Sequence, residues 1–518
     1  MSKFTFETLE GWLWDSVNIL QSSANSSDFK NYIFSLLFLK RFNDVFEEKV
    51  AKRMDQEGLN REDAEKKVDF KIPSEARWQY LTKQTENIGT ALDKALEAIE
   101  RENQSLEGVM TAVKFDRQET LSSKVLQRLL HHFDKYSLQN KDLESGNLLG
   151  NAFEYLIKQF ADSAGKEGDE FYTPRGVASL IVHLIKPQPG HHVYDPTYGS
   201  GGMLIESARY VADQPGGIKN GVVDIALFGQ EKKTSTWAIG RINMILHNFE
   251  SADLQKGDTL VNPRHTHAQK GLQVFDRIIA NPPFSLNGWW MPVENAAEAA
   301  TNGEYEINRE SPNYAKEVND PFERLVYGVP PRSYADFAFL QHVLASLQKN
   351  GKAGIVLPHG ALCRGGSEGK IRQALLQDDL VEGIVGLPSA LFCNTDIPVA
   401  VWILNKDKNP AQKGRVAIVE ASRDYQKGEK QNQLLETHIN KIVKTYEVFA
   451  DVDKYMRIVP LEEIAENDYN LDISRYVSTS ESEPAGDTTE VKQRIADIEV
   501  HDRDIDVKIS DFLRKIQS

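Results

Sequence analysis

Cysteine is nearly missing from this chain, with only Cys363 and Cys393 among 518 residues and no CxxC spacing. That excludes a disulfide framework and a thiolate zinc site, and both thiols read as ordinary buried side chains. Long apolar runs are missing too. The stretches "NYIFSLLFLKRF" and "IPVAVWIL" fall short of the roughly 20 residues that a bilayer-spanning helix needs, so no membrane is expected. The start, "MSKFTFETLEGW", has no basic segment, apolar stretch and cleavage site in series, and the cytoplasm is the expected compartment. An excess of positive charge is absent as well, since 61 Lys and Arg face 76 Asp and Glu for a formal −15. Affinity for phosphates rests largely on Lys and Arg displacing counterions, so a chain of this sign needs help to hold a nucleic acid. No G-x-x-x-x-G-K-[ST] occurs; "GGSEGKI" has the wrong spacing and no hydroxyl after its lysine, which removes the phosphate loop of NTP hydrolysis.

What is present divides into three. Residues 1–165 read as an all-helical domain. In "NYIFSLLFLKRFNDVFEEKV", Phe34, Phe38, Phe42, Val45 and Phe46 fall on one face at helical spacing, and the charged stretch after it reads as a solvated helical surface. Residues 166–477 alternate short β-branched runs with helical stretches and Gly/Pro turns, the pattern of a doubly wound α/β domain. Its candidate strands are "HHVYD", "DIALFGQ", "FDRIIA", "KAGIVL", "EGIVGL" and "VAVWIL". Residues 286–333 interrupt it with a long polar loop. Residues 478–518 read as a linker, "STSESEPAGDT", and a C-terminal helix. There Ile498, Ile505 and Phe512 repeat every seven residues, as do Ile495, Ile509 and Ile516 with Asp502 interrupting the second series. That stripe suits packing within the chain and docking on a partner's helix equally.

Ligands of such sheets bind outside the carboxyl ends of the strands. "VYDPTYGSGGML" places Asp195 and Thr197 at a strand end, then Gly199, Ser200, Gly201 and Gly202 in a turn that opens a helix. Glycines there let a nucleotide-like ligand approach backbone N–H groups. Leu204 stands where a dinucleotide fingerprint wants Gly or Ala, which counts against nicotinamide and flavin. The next strand ends in Glu231, placed to take two ribose hydroxyls. It follows Asp195 by 36 residues, more than dinucleotide folds use, so an extra loop is expected between them. "LQKGDTL" then supplies Asp258, placed to accept from an adenine amino group. Each acid alone is a common cap or surface charge; three in order at successive strand ends make a site.

The stretch "IIANPPFSLNGWW" runs from a strand into Asn281-Pro282-Pro283-Phe284. An exocyclic ring amine is a poor nucleophile because its lone pair is delocalised. Acceptors at the Asn281 side chain and the Pro282 carbonyl would draw both amine hydrogens and turn the lone pair outward. Consecutive prolines hold those acceptors in place, and Phe284 offers a face for a stacked base. No Pro-Cys dipeptide exists to carry the thiolate of cytosine-C5 chemistry. N4-cytosine transfer uses a similar turn that usually begins with Ser. No metal ligand set is visible; His265 and His267 read as a solvated loop. Asp336 and Phe337 are candidates to line the pocket.

In this order the glycine turn, Glu231, Asp258 and Asn281-Pro-Pro-Phe284 resemble the motif series of S-adenosylmethionine-dependent N6-adenine DNA methyltransferases. The fold this implies is a Rossmann-like methyltransferase sheet. "GDEFYTPRGVASLIV" is similar to the segment that folds over the methionine end of the cofactor, which carries Tyr172, Thr173 and Pro174 into the cofactor site. "SLLFLKRFNDVFEE", "YGVPPRSYADFAFLQH" and "LCRGGSEGKIRQALL" are similar, more narrowly, to the modification subunit of type I restriction-modification systems, over nearly the whole chain. The resemblance implies methyl transfer from S-adenosyl-L-methionine to N6 of an adenine flipped from duplex DNA, with no metal. It also implies that a separate specificity subunit reads the sequence between two modification subunits, and that a restriction subunit joins the full complex. Tyr198, where relatives often carry a small residue or Cys, and the enlarged 286–333 loop with Trp289-Trp290 depart from the pattern. Two other readings stay open: a glutamine methyltransferase acting on protein, against which Phe284 and the flanking helical regions count, and a non-catalytic scaffold, against which the intact motifs count.

Overall fold

The computed structural model describes residues 5–20, 29–116, 121–144, 148–163, 172–267, 271–290, 320–392, 397–429 and 431–478. The sequence-derived linker after Ser478, the C-terminal heptad stripe, residues 291–319 of the long loop, and Cys393 lie outside them.

The amino-terminal part is helical: α1 (Phe6–Leu20), α2 (Phe29–Glu57), α3 (Ile88–Glu102), α4 (Ser123–Phe133) and α5 (Leu148–Ser163), with short helical turns between. The expected one-sided stripe on α2 is an underestimate. Phe34, Phe38 and Phe46 are buried, but so are Tyr32, Ile33, Leu36, Leu37 and Leu39, while Phe42 and Val45 are only half-buried. A helix apolar all round is a central one, surrounded by its neighbours. Phe34 stacks against Phe153 of α5 at 4.3 Å between ring centres. Polar residues fasten the ends: the Trp12 indole donates to the His132 carbonyl at 3.0 Å, and the His132 ring meets the Trp12 carbonyl at 2.7 Å. Beyond residue 50, α2 runs into solvent, as its charge predicts.

The rest is built on one nine-stranded sheet. In chain order its elements are α6 (Arg175–Ile185), β1 (His192–Asp195), α7 (Gly202–Ala212), β2 (Ala226–Glu231), α8 (Thr234–Leu246), β3 (Asp253–Lys256), β4 (Phe275–Ala280), α9 (Asp336–Ala345), β5 (Leu347–Pro358), α10 (Gly366–Gln377), β6 (Val381–Gly386), β7 (Val399–Asn405), β8 (Arg415–Glu420), α11 (Glu436–Val448) and β9 (Met456–Pro460). The strands lie in the order 9-8-6-7-5-4-1-2-3. Strands 3-2-1-4-5 run parallel, and β7 enters antiparallel between β5 and β6. The extra residues between Asp195 and Glu231 form a small hairpin, Ile218–Lys219 with Val222–Val223.

All six expected strands are present. Of three further ones, β8 and β9 were not expected, and β3 was implied only by the strand end assigned to Asp258. β3 reads "DLQK" and lies at the sheet's edge, where one neighbour suffices and apolar alternation is not required. β6 and β7 are buried on both faces, so their apolar runs are nearly continuous. The exception, Glu382 on β6, is satisfied by Lys352 at 2.7 Å, the Tyr446 hydroxyl at 2.7 Å and the Asn405 amide at 2.5 Å. Burial pushes its carboxyl up, but these partners prevail and hold it below the usual range. No described helix is long and apolar enough to cross a membrane.

The helical part is fastened to the sheet through α5. Gly150 lies so close to His247, just past α8, that a Cβ would fall 2.5 Å from the imidazole Nε2. Arg209 of α7 donates to Asn151 at 3.0 Å and to Glu154 at 3.3 Å. Core residues run without a break from α1 to α8.

Candidate functional site

The direction of the sheet connections reverses on either side of β1, whose neighbours are β2 and β4. A crevice opens at such a reversal, outside the carboxyl ends of the strands. On the β1 side, Asp195 ends the strand fully buried. One of its oxygens accepts the Thr197 N–H at 2.9 Å. The other, and the Thr197 hydroxyl, are buried with no partner among the described residues. Burial, countered in part by the Thr197 N–H and reinforced by Glu231, pushes the Asp195 carboxyl up to about 8.

The glycine turn follows in left-handed backbone, φ 55° at Gly199 and 82° at Gly201, before Gly202 opens α7. Those angles favour glycine over any side-chain-bearing residue. The turn is stapled from three sides. Gly199 N–H donates to Glu231 Oε2 at 3.2 Å, the Asn243 amide donates to the Ser200 carbonyl at 2.8 Å, and the Thr259 hydroxyl donates to the Pro196 carbonyl at 2.6 Å. Glu231 also accepts the Lys233 N–H at 2.8 Å, and burial raises its carboxyl above the ordinary value. Tyr198 points the other way. Its ring is buried between β2 and α8, in space left by Gly229 and Gly240, and its hydroxyl donates to the Trp237 carbonyl at 2.9 Å. The unusual residue therefore supports the turn from behind.

Asp258, after β3, is engaged twice: one oxygen accepts from Leu260 N–H at 3.0 Å and Val261 N–H at 3.3 Å, and the other pairs with Lys232 at 2.7 Å. Lys232 is largely exposed and free to swing aside. Behind this turn, buried Arg324 donates to the carbonyls of Thr259 at 3.0 Å and Leu260 at 2.6 Å.

The far wall comes from β4. Tyr194 of β1 pairs with Ile278. Asn281 follows Ile278 by three residues, as Thr197 follows Tyr194, so the proline turn leaves the sheet beside the glycine turn. The Asn281 amide donates to the Thr173 hydroxyl at 3.0 Å, while its Oδ1 is buried and unpartnered among the described residues. Pro282 is buried, and half-buried Phe284 meets Phe392 edge-on at 5.4 Å. Thr173 and Pro174, at the start of α6, share a cavity of about 910 Å³ with Ser200 and Gly202 of the glycine turn, and Tyr172 lies on its wall. The acceptor-rich set of Asp195, Thr197 and Glu231, two of its atoms buried without a partner, fits a nucleoside-bearing ligand rich in hydroxyl and amine donors. A buried acceptor without a donor costs about 1–3 kcal/mol, which a ligand's N–H or O–H removes.

Three expectations need correction. Cys363 is exposed, because it ends a single helical turn at the rim of the sheet. His265 is buried, its Nε2 3.0 Å from the Gly229 carbonyl amid Tyr194, Phe228 and Phe275; only His267 is solvated. Asp336 and Phe337 do not line an open pocket. Phe337 packs edge-on against Trp402 in the core, and Asp336 is fully buried, accepting the Ser285 N–H at 2.9 Å. The Thr173 bond to Asn281, the Thr259 bond and Arg324 were not foreseen, since each joins segments far apart in sequence.

The chain matches the N-6 DNA methylase family over residues 144–485 and the HsdM N-terminal domain over residues 9–133. It is 34% identical over 466 residues to the type I restriction enzyme MjaVIII methylase subunit of Methanocaldococcus jannaschii, covering 88% of this chain and 73% of the relative. It is 31% identical to the HindI methylase subunit of Haemophilus influenzae, covering 80% and 91%. The crystal structure of a type I restriction-modification methyltransferase subunit from Streptococcus thermophilus superposes with a TM-score of 0.75 at 30% identity, covering 92% of this chain and all of that one.

Proposed function

The chain belongs to the N-6 DNA methylase family, as a methylase subunit of a type I restriction-modification complex acting on adenine N6 in DNA, and from that premise we propose how its residues perform the transfer. The observation that carries the reading is Asn281 Oδ1, a buried acceptor without a donor among the described residues, on a turn set beside the glycine loop.

S-adenosyl-L-methionine, when bound, supplies an electrophilic methyl on a sulfonium. Tyr172, Thr173 and Pro174, together with Asp195, Thr197 and the turn Gly199-Ser200-Gly201-Gly202, would hold its methionine end. Glu231, held by two backbone N–H groups, keeps lone pairs for ribose hydroxyls, and Asp258 takes the adenine amine once Lys232 moves off. Asn281 Oδ1 and the Pro282 carbonyl accept the two hydrogens of the target amine, draw the nitrogen toward tetrahedral geometry and aim its lone pair. Pro283 fixes the turn, and Phe284 stacks on the target adenine, which must leave the duplex because pairing and stacking bury its amine. No group of the protein forms a covalent bond to the base.

The segments 1–165, 166–477 and 478–518 serve as helical domain, catalytic domain and docking extension. A separate specificity subunit reads the duplex DNA between two copies of this chain, a restriction subunit joins the full complex, and the assembly works in the cytoplasm. The net charge of −15 supports this division, since such a chain depends on a partner to hold DNA. The test is Asn281→Ala in the assembled complex with labelled cofactor and duplex DNA. Transfer to N6 falls about 10²–10³-fold, as when an oriented hydrogen-bonding group is removed from a transition state, while cofactor affinity holds. Joint loss of both would make the turn a structural element and sink the reading.

A further inference from the structure

The catalytic turn has two ends, and Thr173 secures only the first. At the second, Ser285 adopts a left-handed backbone, φ 53°, which is uncommon for a residue with a side chain and needs support from its surroundings. Its N–H donates to Asp336 Oδ1 at 2.9 Å. Asp336 is the first residue of α9 and fully buried, so its charge also meets the N-terminal end of that helix. Its second oxygen is bound by the Arg364 guanidinium. Arg364 is itself forked onto buried Glu368, Nε to Oε2 at 2.6 Å and Nη2 to Oε1 at 3.0 Å, and lies 4.3 Å over the Tyr334 ring. Two backbone bonds reinforce the same junction: Ala335 N–H to the Leu286 carbonyl at 3.1 Å and Gly288 N–H to the Arg332 carbonyl at 2.9 Å.

Burying two carboxylates beside a partly covered guanidinium costs several kcal/mol per buried ion in desolvation, and apolar side chains of the same volume hold a fold together as well or better. A charged network at this place therefore calls for a use other than cohesion. We propose that Asp336 is a positioning residue for methyl transfer: held by Arg364, it fixes Ser285, and through Ser285 the Pro282 carbonyl and the Phe284 ring relative to Asn281. This rests on the role given above to residues 281–284. Asp336 touches neither cofactor nor base. It decides where the turn's acceptors point, and a displacement near 1 Å at a reacting centre costs about 10²-fold in rate.

The experiment compares Asp336→Ala, Asp336→Asn and Arg364→Lys, with Asn281→Ala as control, in the assembled complex. Turnover, S-adenosylmethionine affinity, KM for DNA and Tm are measured for each. Asn keeps an acceptor for the Ser285 N–H but turns its amide donors on Arg364, so Asp336→Asn loses about tenfold in turnover, whereas Asp336→Ala loses about 10²-fold, both with cofactor affinity and KM unchanged. Arg364→Lys keeps one donor to Asp336 and loses the fork to Glu368, so it falls between them; it also serves as the probe should the Ala variant not fold. Wild-type turnover in Asp336→Ala, equal damage from Ala and Asn, or loss of cofactor affinity in step with turnover each overturns the proposal. Should Asn281→Ala stay active, the reading of the turn fails as a whole; should Asn281→Ala be inactive while Asp336→Ala and Arg364→Lys turn over normally, only the positioning role is lost.

Discussion

Asn281 donates from its amide to Thr173, and on the role proposed above its oxygen is kept for the target amine. That division makes Thr173 a positioning residue whose loss differs from the loss of Asn281 itself. Thr173→Val removes the acceptor for the amide and leaves Asn281 free to rotate. Turnover drops about tenfold, and Thr173→Ser restores it; single-turnover kinetics on duplex DNA check this. Asp195 offers a second test, through pH. Its folded-state carboxyl, near 8, lies above the ordinary value for an unfolded chain. The stabilisation linked to its proton is thus full in acid and is lost as the pH rises toward and through 8, because the unfolded chain ionises first and the folded one must then bury a charge. Asp195→Asn cannot ionise. In the cofactor-free chain its Tm advantage over the parent grows between pH 5 and pH 8 and fades toward pH 4, as differential scanning calorimetry can read. Asn281 stood out in sequence because the chemistry proposed for it is contiguous with its neighbours. Asp336, 51 positions from Ser285, was read as a pocket-lining residue, and nothing local in the sequence showed its bond to the turn.

Elements were legible where an apolar run stood out, though β8, buried from Val416 to Val419, was missed all the same. β1, β2, β4, β5, β6 and β7 announced themselves by apolar content, while β3 showed no such run because an edge strand needs only its backbone. α2 was recognised as a helix but read as one-sided, since periodicity within a segment does not reveal how many neighbours surround it. The buried side of the glycine turn was equally hidden. Tyr198 looked like an oddity in a ligand loop; in space it is a wedge whose fit depends on Gly229 and Gly240, which lie on other elements. A Cβ at 240 would fall 2.3 Å from the Tyr198 ring and 2.8 Å from the Gly199 carbonyl. Gly240→Ala therefore costs about 1–3 kcal/mol, measured as a lower denaturant midpoint, and weakens cofactor affinity because the ring can yield only by pushing the turn forward.

At the scale of the molecule, the helical part and the sheet share a continuous apolar core, and one seam within it lies where α5 meets His247 and Arg209. Nothing in the composition of "LLGNAFEYLIKQF" distinguishes that seam from any amphipathic helix; the missing side chain of Gly150 is the one mark it leaves. Gly150→Val drives two methyl groups toward a ring already held by Asn243 and Arg209. Overpacking of about 1–3 kcal/mol opens the seam, and hydrogen exchange quickens in α5 and α8 while β5, β6 and β7 stay protected. The expected fold class, a methyltransferase sheet behind a helical domain, is what the chain adopts.

The bond between Thr173 and Asn281 joins two stretches 108 positions apart, and the first of them opens α6, the next described helix after the amino-terminal bundle. Chemistry at the amide is thereby geared to the posture of that helix. On the role proposed for Asn281, a shift of that helix re-aims the target amine and throttles modification without coming near the base.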